Sequence, residues 1–265
     1  MSSFDEKKMR QWLVNTGDIE ALRLFDEKVK TPQEERKEYP FGNADLGRFL
    51  TTDFKFLERI HKLSLLDDPV FIYGETGTGK ELIAKSLHYP KRNSKFIGIN
   101  CAALPENLLE SELFGHTAGA FTGADKRREG LLVTAGAGTL FLDEICSIGE
   151  HLQSKLLRSF QEKKVRPIGS NNEQEIRCRI ISASSRDPRK YLSPDLYWRI
   201  CTFTVHIKPL SERKEDLQLI CKRFYPTITD AQIEKIYKDL LDNPSYRGNV
   251  RQVQAYIRRL QENLE

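Results

Sequence analysis

The stretch PVFIYGETGTGKELIAKSLH, residues 69–88, constrains this chain more than any other. A short apolar run of strand length meets a glycine-rich loop, and an amphipathic helical pattern follows. Glycines let backbone N–H groups curl around phosphate oxygens, and the start of a helix adds partial positive charge. The loop comprises Gly74, Glu75, Thr76, Gly77, Thr78 and Gly79, and Lys80 is placed to reach the outer phosphates. The phosphate-loop pattern ends in a hydroxyl residue that ligates magnesium, but Glu81 stands there. An ordinary glycine-rich turn is the alternative for this segment alone.

A second apolar run, GTLFLDEI, ends in Asp143 and Glu144. It delivers two carboxylates to the C-terminal edge of a sheet, where ligands of parallel sheets bind. One carboxylate can hold Mg²⁺ through water while its neighbour polarises an attacking water. With Asp143 holding the ion, a hydroxyl at position 81 is dispensable. Glu81 then assists through water or begins the helix, where the dipole favours a carboxylate. The runs KFIGIN and CRIISAS are further strands, and alternation with helical stretches implies an α/β fold with a parallel sheet covered on both faces. After VHIKPL no strand signal remains, and 212–225, 229–242 and 249–263 read as three helices.

A length of 265 residues fits one large domain with a small satellite. Residues 1–41 read as two short amphipathic helices and a charged linker, 42–210 as the α/β domain and 211–265 as the helical unit. The formal charge of +4 sets 42 basic against 38 acidic residues, too weak a bias to argue for nucleic acid. Cys101, Cys146, Cys178, Cys201 and Cys221 form no CxxC pair, which argues against a disulfide framework or a zinc site. With no apolar run of membrane-spanning length and no signal peptide, a soluble, cytoplasmic protein is expected.

Between the two phosphate-site elements lies GAFTGA: Gly119, Ala120, Phe121, Thr122, Gly123 and Ala124. Small residues permit a mobile, protruding tip, and an exposed Phe121 is costly unless a partner receives it. A buried hairpin turn is the alternative. With GETGTGKE, NCAAL, ESELFGH and GTLFLDEI, this loop makes the chain from about 42 to 263 resemble the central ATPase domain of the sigma-54-dependent transcription activators, the bacterial enhancer-binding proteins. The resemblance implies a P-loop AAA+ three-layer sandwich followed by a helical lid. It also implies that the GKE variant is a working site and that GAFTGA touches the sigma factor.

Carried over residue by residue, the resemblance implies that Lys80 binds phosphates, Asp143 holds magnesium and Glu144 activates water. Asn100 restrains that glutamate, and Arg251, in an intact GNVR motif, senses the γ-phosphate. Two departures stand out. The sensor after the fourth strand usually ends in Thr-Asn, where this chain has Ser184 and Ser185. Of two arginines that reach a neighbouring subunit's nucleotide, Arg199 matches the second, while Ser193 replaces the first. Arg186, Arg189 and Lys190 are candidate substitutes or plain solvated charges.

The expected function is Mg-ATP hydrolysis by a ring, a hexamer, that remodels sigma-54 RNA polymerase holoenzyme. The alternative is a nucleotide-binding co-regulator with weak or no ATPase activity in mixed rings. The roughly 40 residues before the domain are too few for a receiver, and the C-terminal helix leaves no room for a helix-turn-helix. DNA contact by this chain is therefore expected to be weak or indirect.

Overall fold

The computed structural model describes residues 39–41, 49–88, 95–241 and 248–262. The two helices expected before the linker lie outside the described residues. Within the expected linker, Tyr39–Phe41 forms a strand (β1) that pairs antiparallel with Phe49–Thr51 (β2). The chain divides into two compact units: Leu66–Tyr73 with Lys91–His206, and Met1–Leu65 with Gly74–Pro90 and Ile207–Glu265.

The first unit is built on a five-stranded parallel sheet of β3 (Val70–Tyr73), β4 (Phe96–Asn100), β5 (Thr139–Asp143), β6 (Arg179–Ser184) and β7 (Phe203–His206). In space the order is β7-β3-β6-β5-β4. The chain leaves β3 for the far edge, fills back through β5 and β6, and then crosses to the other side of β3. Connections thus diverge between β3 and β6, where open parallel sheets place their ligands. Register aligns Asn100 with Asp143, and Ser182 with Leu142, so Ser184, two residues on in β6, comes level with Glu144 just past the end of β5.

Burial explains why four strands were legible and one was not. Every residue of β6 is buried, as a central strand covered on both faces requires. The edge strand β7, FTVH in sequence, buries only Val205 fully, and its alternation of apolar and polar residues runs over too few positions to stand out in the sequence. Leu152, Leu156 and Phe160, four residues apart on the Glu150–Glu162 helix, pack into the core with Leu140, Leu142, Ile180, Leu109 and Leu113.

In the second unit, Asp53 caps the Phe54–Ser64 helix by accepting from Phe56 N. That helix buries Leu57, Ile60 and Leu63. The three expected C-terminal helices are present as Asp216–Phe224, Asp230–Ile236, which runs on as a π-turn over Tyr237–Leu241, and Asn249–Gln261. Leu217, Ile220, Cys221, Ile236, Val253 and Ile257 close their shared core. Thr229 and Gln232 form a reciprocal capping box at the second helix. Among the described residues no helix is long and apolar enough to cross a membrane.

Candidate active site

The glycine loop follows β3 and leads into the helix Lys80–His88. Gly77 and Gly79 have φ of 79° and 102°, a region that side chains rarely enter. A Cβ on Gly77 would lie 2.4 Å from Gly248 O, and one on Gly74 would lie 2.9 Å from Ile207 O. The glycines therefore serve two ends: they turn the backbone, and they let the lid's own backbone approach. Thr78 Oγ1 donates to Glu75 O at 2.8 Å, closing the loop on itself.

Lys80 is buried, and its ammonium donates to the carbonyls of Gly74 (3.0 Å) and Glu75 (3.3 Å). A cation held inside a ring of turned peptides, at the start of a helix, suits a polyphosphate. Glu81 lies one residue on, but its carboxylate pairs with Lys85 at 2.9 Å on the helix surface. It opens the helix as a carboxylate near the dipole's positive end should.

Lid residues complete the loop's support. Asn249 is fully buried with φ 49°, and its Nδ2 donates to Glu75 Oε2 (3.0 Å) and Thr76 O (3.1 Å). Val250 N donates to Gly77 O at 3.1 Å, and Arg213 Nη2 to Thr78 O at 3.0 Å. Arg213 is itself paired with the buried Asp216, which accepts from Thr52. Arg251 is exposed, with its Cβ 3.5 Å from where a Cβ on Gly77 would sit. Sequence reading reached Arg251 but not Asn249 or Arg213. For Asn249 the local signal was its place after Gly248 at a helix start; Arg213 had none.

In the sheet unit, Asp143 ends β5 and Glu144 follows in a left-handed conformation, φ 50°. Glu144 N donates to Asp143 Oδ1 at 3.0 Å. The Glu144 carboxylate is gripped through Oε2 by Ser185 Oγ (3.1 Å), Ser185 N (3.2 Å) and Ser184 Oγ (3.3 Å). Asn100, expected to restrain this glutamate, uses its Oδ1 to accept from Ala102 N at 2.9 Å and so caps the turn after β4. The two serines that depart from the family pattern are thus hydrogen-bond donors to Glu144. Burial, with the charges of Asp143 and Glu144 adding to it, pushes the neighbouring Cys101 thiol up to about 12.

Arg199 is exposed on the short Pro194–Ile200 helix, with Nη2 donating to Phe160 O at 2.6 Å. Ser193 donates its N–H to Gln153 Oε1 at 2.7 Å. Of the candidate substitutes, Arg186 lies over the Tyr191 ring, and Arg189 donates Nε to Tyr197 OH at 3.2 Å.

The GAFTGA segment grows from a two-stranded base, Gly115–His116 against Arg128–Glu129, pinned to Ile168 through Thr117 N at 3.0 Å. Gly119 N donates to Ala124 O at 2.8 Å, which closes the tip. Gly119 and Gly123 have positive φ and open space around them, Ala124 is buried, and Thr122 is exposed. Phe121 is 41% exposed, with one edge against His116 at 5.0 Å between ring centroids. The tip is neither a buried turn nor a fully naked aromatic.

A parallel sheet in this order, with a glycine loop after its first strand, paired acidic residues after its third and a helical lid, defines a P-loop AAA+ domain. Residues 52–206 match the Sigma-54 interaction domain family, and the chain belongs to it. It is 44% identical over 214 residues to the transcriptional regulatory protein GlrR of Escherichia coli, covering 75% of this chain and 48% of that protein. It is 38% identical over 264 residues to the Nif-specific regulatory protein of Azotobacter vinelandii, covering 93% and 49%. The chain thus spans about half the length of these curated relatives. A crystal structure of NtrX from Brucella abortus in complex with ATP superposes with a TM-score of 0.71 at 23% identity, over 93% of this chain and 58% of that one, which shows the shared fold.

Proposed function

We propose that this protein binds and hydrolyses Mg-ATP in a ring of identical subunits, a hexamer, and uses the cycle to remodel sigma-54 RNA polymerase. The observations that carry this reading are a buried lysine in a positive-φ glycine loop in one unit and, in the other, a glutamate oriented by three hydrogen bonds after β5. Family membership supports the coupling to sigma-54.

The residues suit the chemistry. Lys80 and the loop amides bind and orient the phosphates, and Arg251 lies beside the loop to meet the γ-phosphate from the lid. Asp143 supplies the hard oxygen that Mg²⁺ prefers, since that ion is usually bound by one or two carboxylates plus phosphates. When bound, the ion neutralises charge on the transferring phosphoryl group. Glu144 polarises the attacking water and accepts its proton. Arg199, exposed on its helix, serves the neighbouring subunit's nucleotide, and the half-exposed Phe121 with Thr122 engages the sigma factor.

A second reading, a co-regulator with little activity of its own in mixed rings, is favoured by Ser193, whose backbone is tied to Gln153 in a place where the family carries an arginine. ATP turnover and open-complex yield at a sigma-54 promoter, measured on one preparation, separate the two. Turnover with open complexes supports the motor. Sigma-54 binding without turnover supports the co-regulator, and failure to bind sigma-54 in any nucleotide state overturns both.

A further inference from the structure

Three consecutive carbonyls of the phosphate loop are each taken by a donor from the C-terminal part of the chain. Asn249 Nδ2 donates to Thr76 O at 3.1 Å, Val250 N to Gly77 O at 3.1 Å and Arg213 Nη2 to Thr78 O at 3.0 Å. In a planar trans peptide the C=O and the following N–H point in opposite directions. Fixing Thr76 O and Thr78 O therefore also fixes Gly77 N–H and Gly79 N–H, which face away from those donors. Amides aimed in this way make a nest for an anion, and Gly79 N–H stands at the start of the Lys80–His88 helix, where a phosphate is favoured further.

Of the three donors, Arg213 is the most firmly held. Its Nε donates to Lys208 O at 3.1 Å, its Nη1 to Asp216 Oδ2 at 3.1 Å, and its face lies over the Phe49 ring at 5.0 Å. Phe49 is itself buried against the loop, since a Cβ on Gly79 would come within 3.1 Å of its Cδ2. Asp216 is 1% exposed, and its other oxygen accepts from Thr52 N at 2.7 Å and Thr52 Oγ1 at 3.0 Å. A guanidinium is a rigid planar fork with divergent donors. With all three nitrogens and one face engaged, this one keeps a single orientation, and a buried carboxylate is committed to keeping it so.

We propose that Arg213, held by Asp216, is a positioning residue for the phosphate loop: by taking Thr78 O it turns Gly79 N–H toward the nucleotide's phosphates. Thr52 and Phe49 support the same relay from the start of the domain. The inference rests on the loop binding nucleotide phosphates, and its test is arranged so that the two ideas fail separately.

The variants are Lys80→Ala, Asp216→Asn and the pair Arg213→Met/Asp216→Asn, each in the full chain. The pair removes both charges together, because deleting one partner of a buried ion pair is what destabilises a fold, and asparagine keeps an acceptor for Thr52. A fluorescent ATP analogue and its displacement by ADP read affinity, steady-state turnover gives kcat and KM, and thermal melting without nucleotide reads the fold. The pair should bind both nucleotides about tenfold more weakly, the scale of one lost hydrogen bond from a charged donor. KM should rise by a similar factor while kcat at saturating Mg-ATP stays within about threefold, since an interaction made alike in ground and transition states moves KM alone. The melting temperature should stay within about 3 °C of wild type. Asp216→Asn, which leaves Arg213 in place but loosely held, should bind about threefold more weakly.

Unchanged binding of the analogue in Lys80→Ala would remove the underlying phosphate-site assignment. Lost binding in Lys80→Ala beside wild-type affinity in the pair would overturn the Arg213 inference alone. A pair that loses affinity, kcat and melting temperature together would reduce Arg213 to general support of the fold and also overturn it. Should the pair not fold, Asp216→Asn decides. Weaker binding at an unchanged melting temperature upholds the relay; wild-type affinity, or affinity lost only along with melting temperature, overturns it.

Discussion

Asn249 donates its side-chain amide to Glu75 Oε2 at 3.0 Å while its own carbonyl oxygen accepts from Leu210 N at 2.7 Å. One buried side chain thus ties the phosphate loop to two turns of the lid. The left-handed backbone at Asn249 fits its chemistry, because asparagine enters that region more readily than other residues with a Cβ.

Asn249→Ala should therefore loosen both partners. It leaves Leu210 N–H and Glu75 without their bonds and places alanine in a strained conformation, together about 2–4 kcal/mol. The expected result is a melting temperature lower by roughly 5–15 °C, at about 2–4 °C per kcal/mol, with weaker binding of a fluorescent ATP analogue. Asn249→Gly should recover only the backbone share of the loss. Unchanged nucleotide affinity in Asn249→Ala would mean the tie has no bearing on the loop.

Glu144→Gln keeps the shape and one acceptor of the side chain but removes its basicity. ATP binding should persist while turnover falls by about 10²–10⁴, the usual share of a general base. Stopped turnover with retained binding of the ATP analogue is the combination to look for.

If Arg199 acts across a subunit boundary, specific activity should rise with protein concentration. Arg199→Ala should then remove most turnover, up to the roughly 10³–10⁵ that an arginine finger contributes, and leave ATP binding in place. Ser193→Arg should raise turnover; if it does not, Arg186 or Arg189, both now held against aromatic rings, already supplies the charge. Activity per subunit that is flat down to monomer concentrations would contradict a shared site.

Phe121→Ala removes an aromatic of which 41% is exposed at a tip that glycines with positive φ leave uncrowded. Capture of sigma-54 in the presence of ADP and aluminium fluoride should be lost, while affinity for the ATP analogue stays within about twofold. Pull-down with purified sigma-54 reads the first, and fluorescence titration the second.

Burial pushes the thiols of Cys101 and Cys221 from 9.0 up to about 12. At pH 8 their thiolate fraction is then about 10⁻⁴, so aromatic disulfide reagents should label them only after unfolding. In the unfolded chain these thiols ionise near pH 8.5–9. Their contribution to stability is complete below that range and is lost as pH rises from 9 towards 12. The urea midpoint should accordingly drop between pH 8 and pH 10, and less so in Cys221→Val.

The sequence by itself determined the local pieces: the strand, glycine loop and helix around Lys80, the apolar strand ending in Asp143 and Glu144, the GAFTGA segment and the three C-terminal helices. Each is written in neighbouring residues, because φ preferences, apolar period and helix capping act over a few positions. Only the tertiary structure decided what those pieces hold. Ser185 reaches Glu144 across 41 residues because β6 packs beside β5, and Asn249 reaches Glu75 across 174 because the lid backbone approaches Gly77. The strand Phe203–His206 needed β3 beside it to become one, since an edge position demands little burial of its own sequence. Hydrogen-bond partners so far apart follow from register and packing, and no local pattern encodes them; that is why Ser184 and Ser185 read in the sequence only as a departure from a family pattern, while the structure shows them donating to the carboxylate of Glu144.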